Sequence, residues 1–133
     1  MVHVESIVAD AQCDLATLKP SGILSGFYLA GGTGLALHLG HRESIDLDFF
    51  RSDPFDQDRY LADISAVGTF ALDKKEIGTL TGRLNKTLLS LFHYPYPMLE
   101  KTTSWECIEV ASIIDIACMK LDAASTRGTK KDF

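Results

Sequence analysis

The segment Ile45-Asp46-Leu47-Asp48-Phe49 alternates strictly between apolar and acidic side chains. Because alternate residues of a β-strand face opposite sides, this pattern predicts a strand over 45–50 with its apolar side chains in the core. Asp46 and Asp48 would then share the other face, with Cα atoms about 6.6 Å apart. Two carboxylates so placed can converge on a divalent cation, since Mg²⁺ prefers one or two carboxylates completed by substrate phosphates.

A second interpretation of the acid pair stays open on this evidence alone. A solvated strand face that carries two acids is common in globular proteins and needs no ligand. Two like charges on one short strand nevertheless repel each other unless a cation lies between them. The sequence around the pair must therefore decide between the two interpretations.

A glycine-rich turn, Gly31-Gly32-Thr33, precedes the acid pair by one predicted helix. It follows an apolar run over 27–30 that predicts a buried strand, and Thr33 is a candidate cap for a helix ending at Leu39. Glycines let a phosphate approach the backbone closely, and a helix N-terminus offers unpaired N–H groups. Most such turns only connect two elements, but next to Asp46 and Asp48 this one predicts a triphosphate site.

The last predicted helix begins after Ser112 and carries two cations. Its predicted core-facing stripe comprises Ile113, Ala117, Leu121 and Ala124. Lys120 and Arg127 fall on the same stripe, which would require a buried anion beside them. Alternatively, their aliphatic stems follow the edge of the core and the charges reach solvent. Asp115 has a simpler role, because it forms an S-x-x-D capping box with Ser112.

The remaining pattern predicts a mixed fold in one domain. An apolar periodicity indicates a helix over 4–17, and further elements are a helix over 58–66, two or three antiparallel strands over 69–94 and a strand over 105–110. The predicted order is α-β-α-β-α-β-β-β-β-α. This order indicates an α/β (α+β) architecture with a mixed, largely antiparallel sheet flanked by helices.

Composition narrows the possible functions. The chain has 133 residues, of which 46% are apolar and 23% charged, enough for one sizeable core. Its net charge of −5 gives no overall basic field toward nucleic acid or membrane, although a local patch can bind RNA. Three distant cysteines without metal-ligand spacing fit a reducing cytosol, and no apolar run approaches the ~20 residues of a membrane helix. We expect a cytoplasmic protein with no membrane partner.

In order along the chain, these motifs resemble the AbiEii/AbiGii family of bacterial nucleotidyltransferase-like proteins. The resemblance runs from Phe27 onward and rests on Gly31-Gly32-Thr33, the ten residues at 41–50, Tyr94-Pro95-Tyr96-Pro97, the segment 115–120, and Arg127 with Lys131-Asp132-Phe133. It implies the polymerase-beta-like nucleotidyltransferase fold. Several members are toxins of type IV toxin–antitoxin or abortive-infection systems, and some relatives transfer nucleotides to the 3′ end of tRNA.

The resemblance also implies roles for single residues. The implied catalytic residues are Asp46, Asp48 and Lys120, and the first two would also bind the metal, Mg²⁺ or Mn²⁺. The implied nucleoside triphosphate site comprises Gly31, Gly32, Thr33, Lys120, Arg127 and Lys131. The implied partners are a nucleoside triphosphate, a tRNA or other RNA acceptor, and a cognate antitoxin protein.

Two departures from the family pattern keep a second function open. Ser90 stands where related enzymes carry a third carboxylate that helps to deprotonate the attacking hydroxyl. The family also continues beyond Phe133, so we expect a single minimal domain over 1–133 that is cut short at its C-terminus. The preferred hypothesis is metal-dependent transfer of a nucleoside monophosphate to an RNA or protein acceptor. The alternatives are a catalytically degenerate nucleotide-binding or antitoxin-binding module of the same fold, and a plain scaffold.

Overall fold

The computed structural model of the protein describes residues 9–40, 46–105 and 108–127. In this part of the chain the α-helices are α1 (Ala9–Leu18), α2 (Gly31–Leu39), α3 (Gln57–Val67) and α4 (Ile113–Arg127). The strands are β1 (Tyr28–Ala30), β2 (Asp46–Arg51), β3 (Phe70–Glu76), β4 (Thr79–Leu84), β5 (Thr87–His93), β6 (Thr103–Trp105) and β7 (Ile108–Val110). A short 3-10 turn, Lys19–Ser21, follows α1.

Two local predictions were wrong. In place of the single strand predicted over 105–110, the structure has two short antiparallel strands, β6 and β7. The prediction missed this because the sequence at 106 and 107 has no glycine, asparagine or proline, the residues that signal a hairpin. Thr33 does not cap α2, which begins two residues earlier with Ala30 at its N-cap. The helix ends as predicted at Leu39, where Gly40 adopts a left-handed φ of 64°.

The seven strands form one sheet in the order β3-β4-β5-β2-β1-β7-β6. Strand β2 runs antiparallel to β1 and parallel to β5, and β1 also pairs with β7 in parallel. The other three pairings, β3–β4, β4–β5 and β6–β7, are antiparallel. The predicted mixed, largely antiparallel sheet flanked by helices is therefore confirmed.

One face of the sheet carries the main core. Leu47 and Phe49 of β2 are fully buried there, beside leucines of β4 and β5, and α1 and α3 cover them. Helix α1 packs through the apolar positions that its periodicity indicated, namely Ala11, Leu15 and Leu18. This burial removes most of the apolar surface of the central strands from water and is the largest stabilising contribution.

A smaller cluster covers part of the opposite face. Tyr28 and Phe50 stack there with ring centroids 6.1 Å apart, and Ile116 and Met119 of α4 pack over them. Helix α2 contacts β1, β2 and α4 on this side. The strands β3 to β5 on the same face border an open cleft. Helices therefore cover one half of this face, and the other half is accessible.

The predicted core stripe of α4 was wrong. Ile113 and Leu121 are 42% and 70% exposed, and Lys120 is exposed as well. The buried face instead carries Ile116, Met119 and the pair Ser112–Asp115. The stripe was predicted from apolarity, whereas Asp115 of α4 and Ser112 just before the helix are polar residues that are buried and hydrogen-bonded.

The predicted S-x-x-D arrangement at the start of α4 is present, with Ser112 capping the N–H of Asp115. The Ser112 hydroxyl donates to Asp115 Oδ2 at 2.9 Å and accepts from the Asp115 N–H at 3.0 Å. Asp115 also accepts from the backbone N–H groups of Leu99 and Glu100, which ties the preceding loop to the helix. Burial alone would raise the pKa of Asp115, but these hydrogen bonds outweigh burial and lower it below its ordinary value.

Candidate functional site

Asp46 and Asp48 lie together on the partly open face of β2. The residues between and after them, Leu47 and Phe49, are fully buried on the opposite face, whereas both acids are partly exposed. The alternation that predicted this arrangement is confirmed. Asp48 pairs across the sheet with Ala30 of β1 on one side and with Ser90 of β5 on the other.

The environment of Asp48 disfavours its charged form. Burial raises the pKa of Asp48 to about 6, the negative charge of Asp46 adds to this effect, and a hydrogen bond from Ser90 opposes it. A carboxylate with this pKa is still ionised at neutral pH, at a cost that a nearby cation would remove. The pair is therefore a site of unbalanced negative charge.

The hydrogen bonding of Asp46 also indicates uncompensated negative charge. Its Oδ1 atom is buried and has no hydrogen-bond partner among the residues that the structure describes. Buried polar atoms are nearly always satisfied, and an unsatisfied carboxylate oxygen is particularly costly. A cation held between Asp46 and Asp48 would satisfy this oxygen and neutralise both charges.

The glycine turn lies directly against Asp48. Gly31 has a left-handed φ of 64°, and a Cβ atom at this position would lie 2.6 Å from Asp48 Oδ2. Only glycine fits both the backbone conformation and this close approach. Gly31 and Gly32 open helix α2, whose first N–H groups have no partner within the helix.

Thr33 connects the turn to the strand that carries the acids. It is fully buried, and its hydroxyl donates to the backbone carbonyl of Asp46. The first turn of α2 and the start of β2 are therefore joined by a direct hydrogen bond. Gly31 against Asp48 and Thr33 against Asp46 place the glycine turn and both acids at one end of the sheet.

A cleft of about 700 Å³ extends from the acids across β5 and β4 to β3. Its polar lining consists of Asp46, Asp48, Asp73, Lys74, Thr79, Thr81, Arg83 and Ser90. Lys74 and Arg83 lie at the side away from the acid pair and were missed by the sequence analysis. The signal that identifies them is the strand register, because Arg83, Leu88 and Asp46 are successive partners across β4, β5 and β2.

The structure gives less detail on the other predicted site residues. Lys120 is exposed on α4, and Arg127 is the last residue of that helix. Lys131 lies outside the residues that the structure describes. The contacts of these cations with a substrate stay predictions.

Ser90 occupies the place expected for a third carboxylate, directly opposite Asp48. Within residues 9–40, 46–105 and 108–127, no third His, Cys, Asp or Glu joins the pair in a metal-binding group. Two carboxylates nevertheless fit Mg²⁺, which commonly takes one or two carboxylates and completes its shell with water and phosphate oxygens. The unsatisfied Oδ1 of Asp46 supports this fit.

None of the helices in the described ranges is long and apolar enough to cross a membrane.

Comparison with known proteins bears on both the fold and the family. An uncharacterized protein of Aquifex aeolicus strain VF5 is 40% identical over 116 residues, which cover 84% of this chain and 56% of the relative. JHP933 from Helicobacter pylori has a TM-score of 0.59 at 16% identity, over 92% of this chain and 59% of that one. A Thermotoga maritima protein provisionally named a nucleotidyltransferase has a TM-score of 0.55 at 10% identity, over 96% of this chain and 95% of that one.

The solved structures confirm the predicted nucleotidyltransferase fold, and at these identities they bear on the fold alone. The chain spans little more than half the length of the Aquifex and Helicobacter proteins. Family membership comes from the sequence, because residues 14–102 match the pattern described as "Nucleotidyl transferase AbiEii toxin, Type IV TA system". This match includes the glycine turn, both acids and the cleft, and it covers more than half of the chain. The chain therefore belongs to the AbiEii family of nucleotidyltransferase toxins of type IV toxin–antitoxin systems.

Proposed function

We propose that the protein transfers a nucleoside monophosphate from a nucleoside triphosphate to a hydroxyl group of a tRNA or other RNA, as the toxin of a cytoplasmic type IV toxin–antitoxin pair. The observation that carries the proposal is the contact of Gly31 with Asp48, which puts a phosphate-binding turn beside a carboxylate pair with an unsatisfied oxygen. Family membership supports the reaction class. An antitoxin protein is the expected partner.

The residues of the site have distinct roles in this proposal. Gly31, Gly32 and Thr33 would form the turn that receives the phosphates at the N-terminus of α2. Asp46 and Asp48 would hold Mg²⁺ or Mn²⁺, which when bound neutralises phosphate charge and polarises the phosphorus centre. Lys120, Arg127 and Lys131 would add positive charge near the triphosphate.

The proposed reaction forms one bond and breaks another at the α-phosphorus. The acceptor hydroxyl oxygen bonds to this phosphorus while the bond to the bridging oxygen breaks, and pyrophosphate leaves. Ser90 cannot take up the hydroxyl proton as a carboxylate would, so the proton passes to water. The protein contributes mainly by positioning the reactants and by electrostatic stabilisation.

The test is incubation of the purified protein with each α-labelled nucleoside triphosphate, Mg²⁺ and total tRNA. We expect label on RNA with at least one nucleotide, and a decrease of about 10²- to 10³-fold for Asp46→Asn. Asp63→Asn is the matched control, because Asp63 is an exposed carboxylate on α3. No label on RNA with any nucleotide would contradict RNA transfer, and wild-type transfer by Asp46→Asn would contradict the assigned site.

A second candidate is a nucleotide-binding or antitoxin-binding module without turnover. The observation that favours it is the position of Ser90 opposite Asp48, with no third carboxylate beside the pair in the described residues. Calorimetry distinguishes the two candidates. Mg²⁺-dependent triphosphate binding that Asp46→Asn abolishes, without product in the transfer assay, would support the binding module.

A further inference from the structure

The acid pair has the glycine turn on one side and the open cleft on the other. This difference indicates the side from which the acceptor enters. Gly31 and the N-terminus of α2 lie on the β1 side of Asp48, and Ser90 and the open cleft lie on its β5 side. In phosphoryl transfer the attacking and leaving oxygens are roughly in line across the phosphorus. If the glycine turn holds the departing phosphates, as the proposed function requires, the acceptor must approach from the cleft.

The floor of the cleft has side chains that could contact a single-stranded nucleic acid. Thr81 and Ser90 are cross-strand partners on it, and Leu88 is 37% exposed beside them. Phe92 also lines the cleft. An aromatic side chain such as Phe92 can stack on a base of a single-stranded nucleic acid.

The far side of the cleft carries two cations, Arg83 and Lys74. Arg83 is two strands from Asp46 in the same cross-strand row, a backbone separation of about 10 Å at the usual strand spacing. Lys74 is three strands from Asp48, at about 14 Å. Both side chains are exposed and line the cleft.

These two cations are weakly engaged within the protein. No carboxylate of the described residues forms a salt bridge with Arg83, which makes only a long hydrogen bond of 3.4 Å to the carbonyl of Lys86. Lys74 lies 4.0 Å from Glu76, at the limit of an ion pair. Asp73, the acid on the same side, accepts a hydrogen bond from Thr81.

We propose that Arg83 and Lys74 bind backbone phosphates of the RNA acceptor and so position its terminal hydroxyl toward Asp46 and Asp48. The inference rests on the proposed function. The inference adds to that function a subsite for the acceptor, on a different part of the sheet from the triphosphate. The chemistry is that of phosphodiester contacts, which position a nucleic acid without reading its sequence.

The test compares two double variants of the same charge. Arg83→Gln with Lys74→Gln removes the proposed subsite. Arg59→Gln with Lys75→Gln is the matched control, because Arg59 lies on α3 and Lys75 faces away from the cleft beside the core residue Leu80. All four side chains are exposed, and the pairs of Arg59 with Asp63 and of Lys75 with Asp58 lie at the surface, where ion pairs contribute little, so circular dichroism and thermal melting should stay close to those of the wild type.

The first measurement is binding of a short 5′-fluorescein-labelled single-stranded RNA, followed by anisotropy at several salt concentrations. We expect the cleft variant to bind about tenfold more weakly or worse, and the control to bind like the wild type. The slope of log K against log salt should become shallower by about 0.7 for each lost phosphate contact. The second measurement is calorimetric binding of a non-hydrolysable triphosphate with Mg²⁺, which should be unchanged in both variants.

Each other outcome would overturn the subsite. Equal RNA binding by the cleft variant and the control would mean that the acceptor lies elsewhere or is a protein. Loss of triphosphate binding in the cleft variant would mean that these cations hold the nucleotide. Failure of the proposed function looks different, because then the wild type itself would transfer no label to RNA in the assay described above, however the two variants bind RNA.

Discussion

The two faces of strand β2 have opposite energetic roles. On one face Leu47 and Phe49 are fully buried in the main core. On the other face Asp46 and Asp48 are partly buried, one with an unsatisfied oxygen and the other with a raised pKa. Residues 46–49 therefore provide packing on one side and uncompensated charge on the other, and Phe50 on the acid side packs in the smaller cluster. Stability and the candidate site are separated by side-chain direction alone, so single substitutions can test each face independently.

The apolar face should show the largest effect. Phe49→Ala is expected to lower the free energy of unfolding by about 3–5 kcal/mol, because it leaves a cavity beneath the sheet. Leu88→Ala on the cleft face removes a side chain that is already 37% exposed, and should cost less than about 1 kcal/mol. Urea unfolding of both variants measures the difference, and equal losses would contradict the division between the faces.

The charged face should show an effect of the opposite sign. Folded Asp48 holds its proton more tightly than unfolded Asp48, with a pKa of about 6 against 3.8, so its ionisation destabilises the metal-free protein as pH rises through this window. Asp48→Asn should therefore stabilise the metal-free protein by up to about 3 kcal/mol at neutral pH. Well below pH 3.8 the two proteins should have nearly the same stability, because Asp48 is then protonated in both the folded and the unfolded state.

Thermal melting across this pH range, in chelator, checks the prediction for Asp48. The difference between the two proteins isolates this residue, since the other acids titrate in both. A variant that is less stable than the wild type at neutral pH would show that the carboxylate is structurally satisfied.

Substitution of the glycine turn where it meets the acids should have a smaller effect on stability. Gly31→Ala forces a left-handed conformation and places a methyl group against Asp48, whereas Gly22 has the same handedness with no atom within 4 Å of an added Cβ. Gly22→Ala should therefore cost about 1–2 kcal/mol from backbone strain alone. Gly31→Ala should cost more, and it should also weaken Mg²⁺-dependent triphosphate binding, which Gly22→Ala should leave intact. Calorimetry on the two variants tests this, and equal triphosphate affinities would argue against a ligand at the turn.

The smallest effect concerns the hydrogen bond across the cleft floor. Ser90→Ala removes the bond that favours ionised Asp48, at an expected cost of about 1 kcal/mol at neutral pH. The pKa of Asp48 should rise further, because the hydrogen bond from Ser90, which lowers it, is lost. Carbon-detected NMR titration of the aspartate carboxyl groups measures the shift, with Thr81→Ala as a control on the neighbouring strand. An unchanged pKa would mean that Ser90 does not influence the acid.

Much of this arrangement was predictable because it depends on local periodicity. The alternation over 46–49 predicted which of these side chains of β2 enter the core, and the order of strand, glycine turn and helix predicted that the turn lies beside them. The position of Ser90 opposite Asp48 followed from the expected place of a third acid. These features rely on residues close in sequence or on one strand pairing.

Features that depend on tertiary contacts were missed. The buried face of α4 includes Ser112 and Asp115, because the loop at Leu99 satisfies the Asp115 carboxylate, and no apolarity pattern contains that information. Arg83 and Lys74 line the cleft through the pairing of β3, β4 and β5, including a register shift between Leu72 and Lys74. The phase of a strand after such an irregularity cannot be read from alternation.

The hydrogen bond from Thr33 to the Asp46 carbonyl makes the two halves of the site a single mechanical unit. A shift of the helix that begins at Gly31 would pull on the backbone of the strand that holds the acids. If the proposed function holds, an incoming nucleotide would meet a surface that is already assembled, and little of its binding energy would be spent on bringing distant segments together. An inhibitor that displaced this helix would disable the acids without touching either of them.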